Sequence, residues 1–156
     1  MIKIDVVSEH KLWNKKIKKP NNFFNTLAKF FPSKYRFIKK KVSFTVLLSN
    51  NENIKRLNKK FRNKNKATDV LSFPSEKKIN IKKSPYIGDI VISYEFMNKP
   101  NTLSVIEFKN KVAKIFIHGF LHLFGYDHIK LKDFNKMLIA EKKIYKTIET
   151  KIEKLV

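Results

Sequence analysis

The chain has 156 residues and no cysteine, which excludes disulfide bonds and thiolate metal ligands. Apolar residues make up 42% of it and include 14 phenylalanines, so a packed interior is predicted and wholesale disorder is excluded. The 35 lysines and arginines outnumber the 13 carboxylates and give a net charge of +22, which favours a polyanionic partner, nucleic acid above all. An AT-rich genome is the alternative explanation for part of the lysine, because asparagine and isoleucine are also abundant while glycine is scarce.

The first residues predict a location in the cytoplasm. Residues 1–8 alternate like a strand and contain no apolar core of a signal peptide. No apolar run in the chain approaches the roughly 20 residues that cross a bilayer. We therefore expect a cytoplasmic protein without a membrane partner, folded as one domain over residues 1–156.

Strands and helices are predicted to alternate along that domain. In chain order, the pattern predicts a strand over residues 1–8, a basic loop over 15–19, a helix over 21–31, a strand over 41–49, a helix over 52–61, a strand over 68–73, a lysine-rich excursion over 75–85, a strand over 87–93, a long helix over 103–124 and a last helix over 133–154. The second half of the long helix is apolar nearly all round, which is typical of a central, buried helix. The last helix carries a predicted apolar stripe, formed by Phe134, Met137, Leu138, Ile144, Ile148 and Leu155. About four strands and about five helices predict an α+β fold.

Three of the four histidines lie within residues 118–128, in the pattern His-x3-His-x5-His. On a helix, His118 and His122 would lie about 40° apart and about 6 Å along one face, which suits two ligands of one metal ion. Gly125 can end the helix in a left-handed conformation, so that His128 turns back towards the same ion. Three neutral ligands without an obvious fourth predict an open, catalytic site for one Zn²⁺ ion. The alternative is that these are hydrogen-bonded histidines of the core. It is disfavoured because, without a metal ion, the ring nitrogens of three clustered imidazoles are hard to supply with hydrogen-bond partners.

An open zinc site can serve either peptide or phosphodiester hydrolysis. The histidine and glycine spacing is that of the extended His-Glu-x-x-His peptidases, but Gly119 stands where the glutamate base would be. Hydrolysis of a polyanion would instead need a fixed cation, and Arg62 is the candidate because arginine can hold two phosphate oxygens. The alternative for Arg62 is that it caps the helix over 52–61. A non-catalytic RNA-binding factor, with zinc serving only to fold the C-terminal half of the chain, is a third possibility.

The motifs of this chain resemble those of the YbeY family, bacterial zinc-dependent endoribonucleases of ribosomal RNA maturation. Three blocks carry the resemblance: residues 118–128, residues 57–62 followed by 68–74, and residues 88–93. They occur in the family's order and spacing. Ala67 departs from the family pattern, which usually has a proline before the Thr-Asp pair, and this change is predicted to loosen the loop after Arg62.

The resemblance implies a single α+β domain with a small mixed sheet and a metal site at the end of the central helix. It implies one zinc ion held by His118, His122 and His128, with Arg62 in the cleft. The implied activity is cleavage of single-stranded RNA in 16S rRNA 3′-end maturation and ribosome quality control. The implied partners are therefore rRNA and the ribosome or its small subunit.

Further polar residues near these motifs have alternative roles. Asp127 is predicted to be a turn residue rather than a partner of a ligand histidine. Asp89 could orient such a histidine or form an edge salt bridge, and Asp69 should be paired or face the cleft. Ser72 could line the substrate cleft, but a solvent-facing strand position is the default prediction. Tyr126 could stack on a base, although packing against the last helix is favoured.

Overall fold

The computed structural model describes residues 1–77 and 84–155 of the chain. Within these ranges four strands and seven helices form one α+β domain, in the order β1 (Ile2–Ser8), α1 (Leu12–Lys16), α2 (Pro20–Lys29), α3 (Ser33–Arg36), β2 (Val42–Ser49), α4 (Asn51–Arg62), β3 (Val70–Pro74), β4 (Tyr86–Ser93), α5 (Tyr94–Met97), α6 (Val105–Leu123) and α7 (Leu131–Ile152). All four predicted strands and the four long predicted helices are confirmed. None of the helices in the described ranges is both long enough and apolar enough to cross a bilayer.

The sequence did not predict the short helices α1, α3 and α5. The predicted basic loop over residues 15–19 is partly wrong, because Lys15 and Lys16 form the last turn of α1. That turn is fixed by Trp13, which is fully buried and whose indole N–H donates to the carbonyl of Ser49 at 2.9 Å. Of the predicted lysine-rich excursion over 75–85, residues 78–83 lie outside the described residues.

The four strands form one mixed sheet in the order β1-β2-β4-β3. The strands β1, β2 and β4 are parallel, while β3 runs antiparallel to β4. This pairing places Ser72 of β3 opposite Ile90 of β4. The small mixed sheet implied by the family resemblance is therefore confirmed, and the β3–β4 pair forms the part of the sheet beneath the long helix α6.

The helix α6 is the central element of the core. It begins with a capping box, in which the Ser104 hydroxyl accepts from the Glu107 N–H and the Glu107 carboxylate accepts from the Ser104 N–H. The helix packs on β3 and β4 on one side and on α7 on another. Its Phe116 and Phe120 are fully buried against Phe44 of β2, and each such side chain stabilises the fold by about 1.5–3 kcal/mol.

The apolar stripe of α7 differs in part from the prediction. Phe134 and Leu138 were expected in the core, but they are 46% and 36% exposed. Leu138 lies about 100° round the helix from the buried Met137, so it points away from the packed face. The face that packs inward consists of Met137, Ala140, Ile144, Ile148 and Ile152.

Candidate metal centre

The C-terminal end of α6 is closed by a glycine turn. The N–H of Tyr126 donates to the carbonyl of Leu121 at 3.0 Å, and the N–H of Gly125 donates to the carbonyl of His122 at 3.1 Å. This pair of hydrogen bonds is the Schellman arrangement, which requires a left-handed residue, and Gly125 has φ +99°. The predicted role of Gly125 is confirmed, because the chain reverses at this residue and His128 returns to the helix end.

The turn brings three histidines together. The Nε2 atoms of His118 and His122 lie 3.2 Å apart. The ring of His128 lies 5.5 Å from that of His118 and 4.9 Å from that of His122, measured between centroids. One nitrogen from each ring falls within 4.8 Å of the others, so the group could hold a metal ion. Two nitrogens bound tetrahedrally to zinc would be about 3.3 Å apart, so the His118–His122 separation fits this ion.

The outer nitrogens of two rings are already engaged. The Nδ1–H of His118 donates to Oε1 of Glu141 at 2.7 Å, and the Nδ1–H of His122 donates to the carbonyl of Tyr126 at 3.0 Å. Donation from Nδ1 fixes the tautomer and leaves the Nε2 lone pairs directed at the space between the rings. Sequence reasoning missed Glu141, because it lies on α7 and no local pattern links it to His118.

Burial keeps the His122 ring in the form that binds metal. Desolvation, followed by the neighbouring rings of His118 and His128, lowers the pKa of His122 to about 4. The ring is therefore neutral near pH 7, and only a neutral imidazole can donate its lone pair to an ion.

Gly119 allows α6 to lie directly on the sheet. A Cβ atom at this position would lie 2.8 Å from Cγ2 of Ile90 and 3.2 Å from Oγ of Ser72. The Ser72 hydroxyl donates to the carbonyl of Gly119 at 3.0 Å. There is thus no room for the glutamate base of a His-Glu-x-x-His peptidase. The predicted solvent exposure of Ser72 is wrong, because α6 covers β3 and leaves Ser72 only 6% exposed.

We expect Gly119→Ala to destabilise the protein, although alanine is the better helix former by about 1 kcal/mol. The added methyl group would be forced against β4, and overpacking of this kind costs about 1–3 kcal/mol. The free energy of unfolding in urea measures the net loss. In an Ile90→Ala background the same change should cost less, since the clashing methyl group is gone; an equal cost in both backgrounds would show that Ile90 is not the obstacle.

Arg62 is the last residue of α4 and is exposed. Its Nη2 donates to the carbonyl of Ser72 at 3.1 Å, and the hydroxyl of the same serine contacts Gly119, the residue after His118. The end of α4 is closed instead by Asn63, whose N–H donates to helix carbonyls from a left-handed conformation. The hydrogen bond of the Arg62 side chain therefore goes to β3, the strand on which α6 packs, and not to a carbonyl at the end of α4.

The loop after Arg62 is held in place despite the alanine at position 67. The side chain of Asn58 is buried and donates to the carbonyl of Lys66 at 2.9 Å. Ala67 packs against the small apolar cluster that contains Leu71. The predicted loosening of this loop is thus opposed by specific contacts.

The carboxylates considered from the sequence accept hydrogen bonds from groups other than the histidine rings. Asp127 accepts from the N–H of the next residue at 2.6 Å, and Asp69 accepts from the next N–H at 2.8 Å. Asp89 accepts from the hydroxyl of Tyr86, which is neither of its predicted roles. The carboxylate that does orient a histidine is Glu141.

Comparison with known proteins places this arrangement in a family. Residues 7–149 match the family described as Endoribonuclease YbeY. The chain belongs to the YbeY family. A YbeY endoribonuclease from Pelagibacter ubique is 71% identical over 152 residues, which cover 97% of this chain and 99% of the relative. A second YbeY endoribonuclease, from Ehrlichia canis, is 33% identical over 128 residues, which cover 82% of this chain and 80% of the relative.

A solved structure shares the fold of this chain. The solution structure of TM1509 from Thermotoga maritima superposes with a TM-score of 0.60 at 26% identity. The match covers 97% of this chain and 92% of that protein. The predicted α+β class and the predicted YbeY membership are both confirmed.

Proposed function

We propose that this YbeY chain is a single-strand-specific, zinc-dependent endoribonuclease that acts on ribosomal RNA, including maturation of the 16S rRNA 3′ end. Its family is one of endoribonucleases, and the sequence identity to such a relative extends over nearly the whole chain. The observation that carries the mechanism is the convergence of three histidines at one helix end. The cluster contains no fourth side chain from the described residues, as an open catalytic site requires.

The proposed ligands of the ion are His118, His122 and His128. Imidazole nitrogen suits zinc, and two of the three rings are held by the hydrogen bonds from their Nδ1 atoms. A zinc ion in such a site supplies a Lewis acid that acidifies water and offsets negative charge on a phosphoryl oxygen.

The proposed role of Arg62 is to bind the phosphate at which the RNA is cut. One N–H of its guanidinium is used on Ser72, and the remaining donors are available to two phosphate oxygens. The fixed positive charge would offset the charge that develops on the phosphate during cleavage.

The net charge of +22 supports RNA as the substrate, because a basic surface attracts the phosphate backbone irrespective of its sequence. Ribosomal RNA as substrate implies the ribosome or its small subunit as partner, and the cytoplasm as location. A peptidase is disfavoured, since Gly119 lacks both the glutamate and the space for one. The boundaries of the functional unit are proposed to be residues 1–156, a single domain.

The test is cleavage of an rRNA fragment with a single-stranded 3′ tail, beside the same fragment with its tail annealed to a complementary strand. We expect cuts in the free tail and protection in the duplex. Binding without cleavage would favour a zinc-stabilised ribosome-binding factor instead. The ends of the products distinguish two routes, because attack by the RNA's own 2′-OH leaves a 2′,3′-cyclic phosphate, whereas a 3′-OH end excludes that route.

Glu141→Gln is expected to weaken zinc affinity by about 10–100-fold, the usual effect of losing the partner of a metal-binding histidine. The amide keeps the size of the carboxylate but loses the charge that strengthens the bond from His118. Competition with a zinc-binding dye measures the change. Glu149→Gln on the same helix is the matched control and should bind zinc normally; equal affinities in the two variants would remove Glu141 from the site.

A further inference from the structure

A cavity of about 660 Å³ lies beside the metal centre. Its walls come from the start of α3, the turn after α6 and one face of α7. The charged and hydroxyl-bearing side chains of these walls include Lys34, Tyr35, Tyr126, Asp133, Lys136 and Lys143. Pockets for small organic ligands occupy roughly 300–1,000 Å³, so this cavity is large enough for one nucleotide.

The cavity shares two walls with the histidine cluster. Tyr126 lines it, while the carbonyl of the same residue accepts from the ring of His122. On α7, Ala140 lines the cavity, while the next residue, Glu141, contacts His118. The turn after α6 and the helix α7 therefore border both the cavity and the metal centre, so the two adjoin each other.

The lining combines cations with aromatic rings. Lys34, Lys136 and Lys143 face only two carboxylates, those of Asp127 and Asp133. Three lysines against two aspartates leave the lining with an excess of one positive charge. A phosphate group would be attracted to these lysines.

Two tyrosines give the cavity a hydrogen-bond donor. The hydroxyls of Tyr35 and Tyr126 lie 3.0 Å apart, and either can donate to the other. A pair of hydroxyls has two hydrogens but uses only one in this bond, and the described residues offer no acceptor for the second. Burial raises the pKa of Tyr35, so this hydroxyl stays protonated near neutral pH. The ring of Tyr126 lies 6.3 Å from that of Phe124, which gives the same wall an aromatic surface.

We infer that this cavity binds one nucleotide of the RNA, adjacent to the bond that is cut. The base would lie against Tyr126 with the tyrosine pair donating to its edge, and the neighbouring phosphates would contact Lys136 and Lys143. Lysines alone would also suit an acidic protein segment, but the aromatic wall with a spare O–H donor favours a base. The inference rests on the proposed endoribonuclease function, since RNA must already lie across the metal centre.

Binding of a cleavage-resistant 2′-O-methyl oligonucleotide to the zinc-loaded protein tests the lysines. The double variant Lys136→Ala/Lys143→Ala is expected to raise the Kd about tenfold through the loss of two phosphate contacts. The control, Lys132→Ala/Lys146→Ala, removes the same charge from exposed positions of α7 outside the cavity and should raise it less than about twofold. Equal increases in Kd for the two double variants would overturn the inference. It would also be overturned if Lys136→Ala/Lys143→Ala bound poly-glutamate more weakly than the unaltered protein does but bound RNA equally well.

Photo-crosslinking tests the aromatic wall. In a series of oligonucleotides, each carries 5-iodouracil at a different position. Only one position should crosslink to Tyr126. The Tyr126→Phe protein should still crosslink but should bind the oligonucleotide less tightly. A crosslink only at residues outside the cavity would overturn the inference. Failure of the enzyme to cut unmodified RNA, with the Tyr126 crosslink present, would instead refute the nuclease function and leave the nucleotide site standing.

Discussion

Replacing His122 with alanine is expected to remove the metal ion and to reduce RNA cleavage by about 1,000-fold or more. Metal ions supply several kcal/mol of charge stabilisation in hydrolysis, and each 1.36 kcal/mol is worth a factor of ten. His122 is the middle ligand of the proposed set, and its Nε2 lies 3.2 Å from that of His118. Zinc content by atomic absorption and initial rates on a single-stranded RNA measure the two effects.

The control for this variant is His10→Ala, which removes the one histidine outside the cluster. The ring of His10 contacts Tyr94, far along the chain from the metal centre, and its loss should change neither zinc content nor rate. Because His122 is half-buried, its loss could also disturb folding, so His128→Ala is the second test. His128 is exposed, and full activity in a well-folded His128→Ala protein would contradict the three-histidine assignment.

Replacing Arg62 with alanine is expected to lower cleavage by about 100-fold or more while zinc content stays normal. Loss of one group that stabilises charge in a transition state typically costs about 10²–10³ in rate. The side chain is exposed and its one hydrogen bond in the described structure goes to the Ser72 carbonyl, so the fold should survive the change. Rates at saturating RNA, together with the zinc content, separate loss of chemistry from loss of metal.

Two further variants test whether the effect is specific to the guanidinium of Arg62. Arg56→Ala removes an exposed arginine from the same helix and should leave the rate within about twofold, because it alters only the general attraction for RNA. Arg62→Lys keeps the charge but loses the planar guanidinium that can bind two phosphate oxygens. Its cleavage rate should therefore lie between those of Arg62→Ala and the unaltered protein. Loss of zinc from Arg62→Ala, or equal rates for both alanine variants, would contradict the proposed role.

The local parts of this site could be predicted from the sequence. Helical spacing places His118 and His122 on one face, and the need for a left-handed residue assigns Gly125 its turn. Strand and helix positions followed from periodicity, because the second half of α6 is apolar nearly all round and the strands are rich in β-branched residues. These features depend on neighbours within a few residues.

The features that the sequence did not reveal depend on contacts between distant segments. Glu141 orients His118 across 23 residues, and Ser72 is buried only because Gly119 lets α6 approach β3. The same holds for the inward face of α7, where packing on α6 decides which residues are buried. No local pattern brings Tyr35 to Tyr126, 91 residues later, so the cavity between them is visible only in the fold.

Zinc-dependent RNA cleavage is tested most directly with the tailed rRNA fragment and one protein preparation in three states: as purified, after removal of metal with a chelator, and after addition of a stoichiometric amount of zinc. We expect cuts in the single-stranded tail before chelation, none after it, and recovery with zinc. The His122→Ala protein, treated identically, should stay inactive throughout. Cleavage that is unaffected by chelation, or equal in the His122→Ala protein, would show that the three histidines do not hold a catalytic zinc ion.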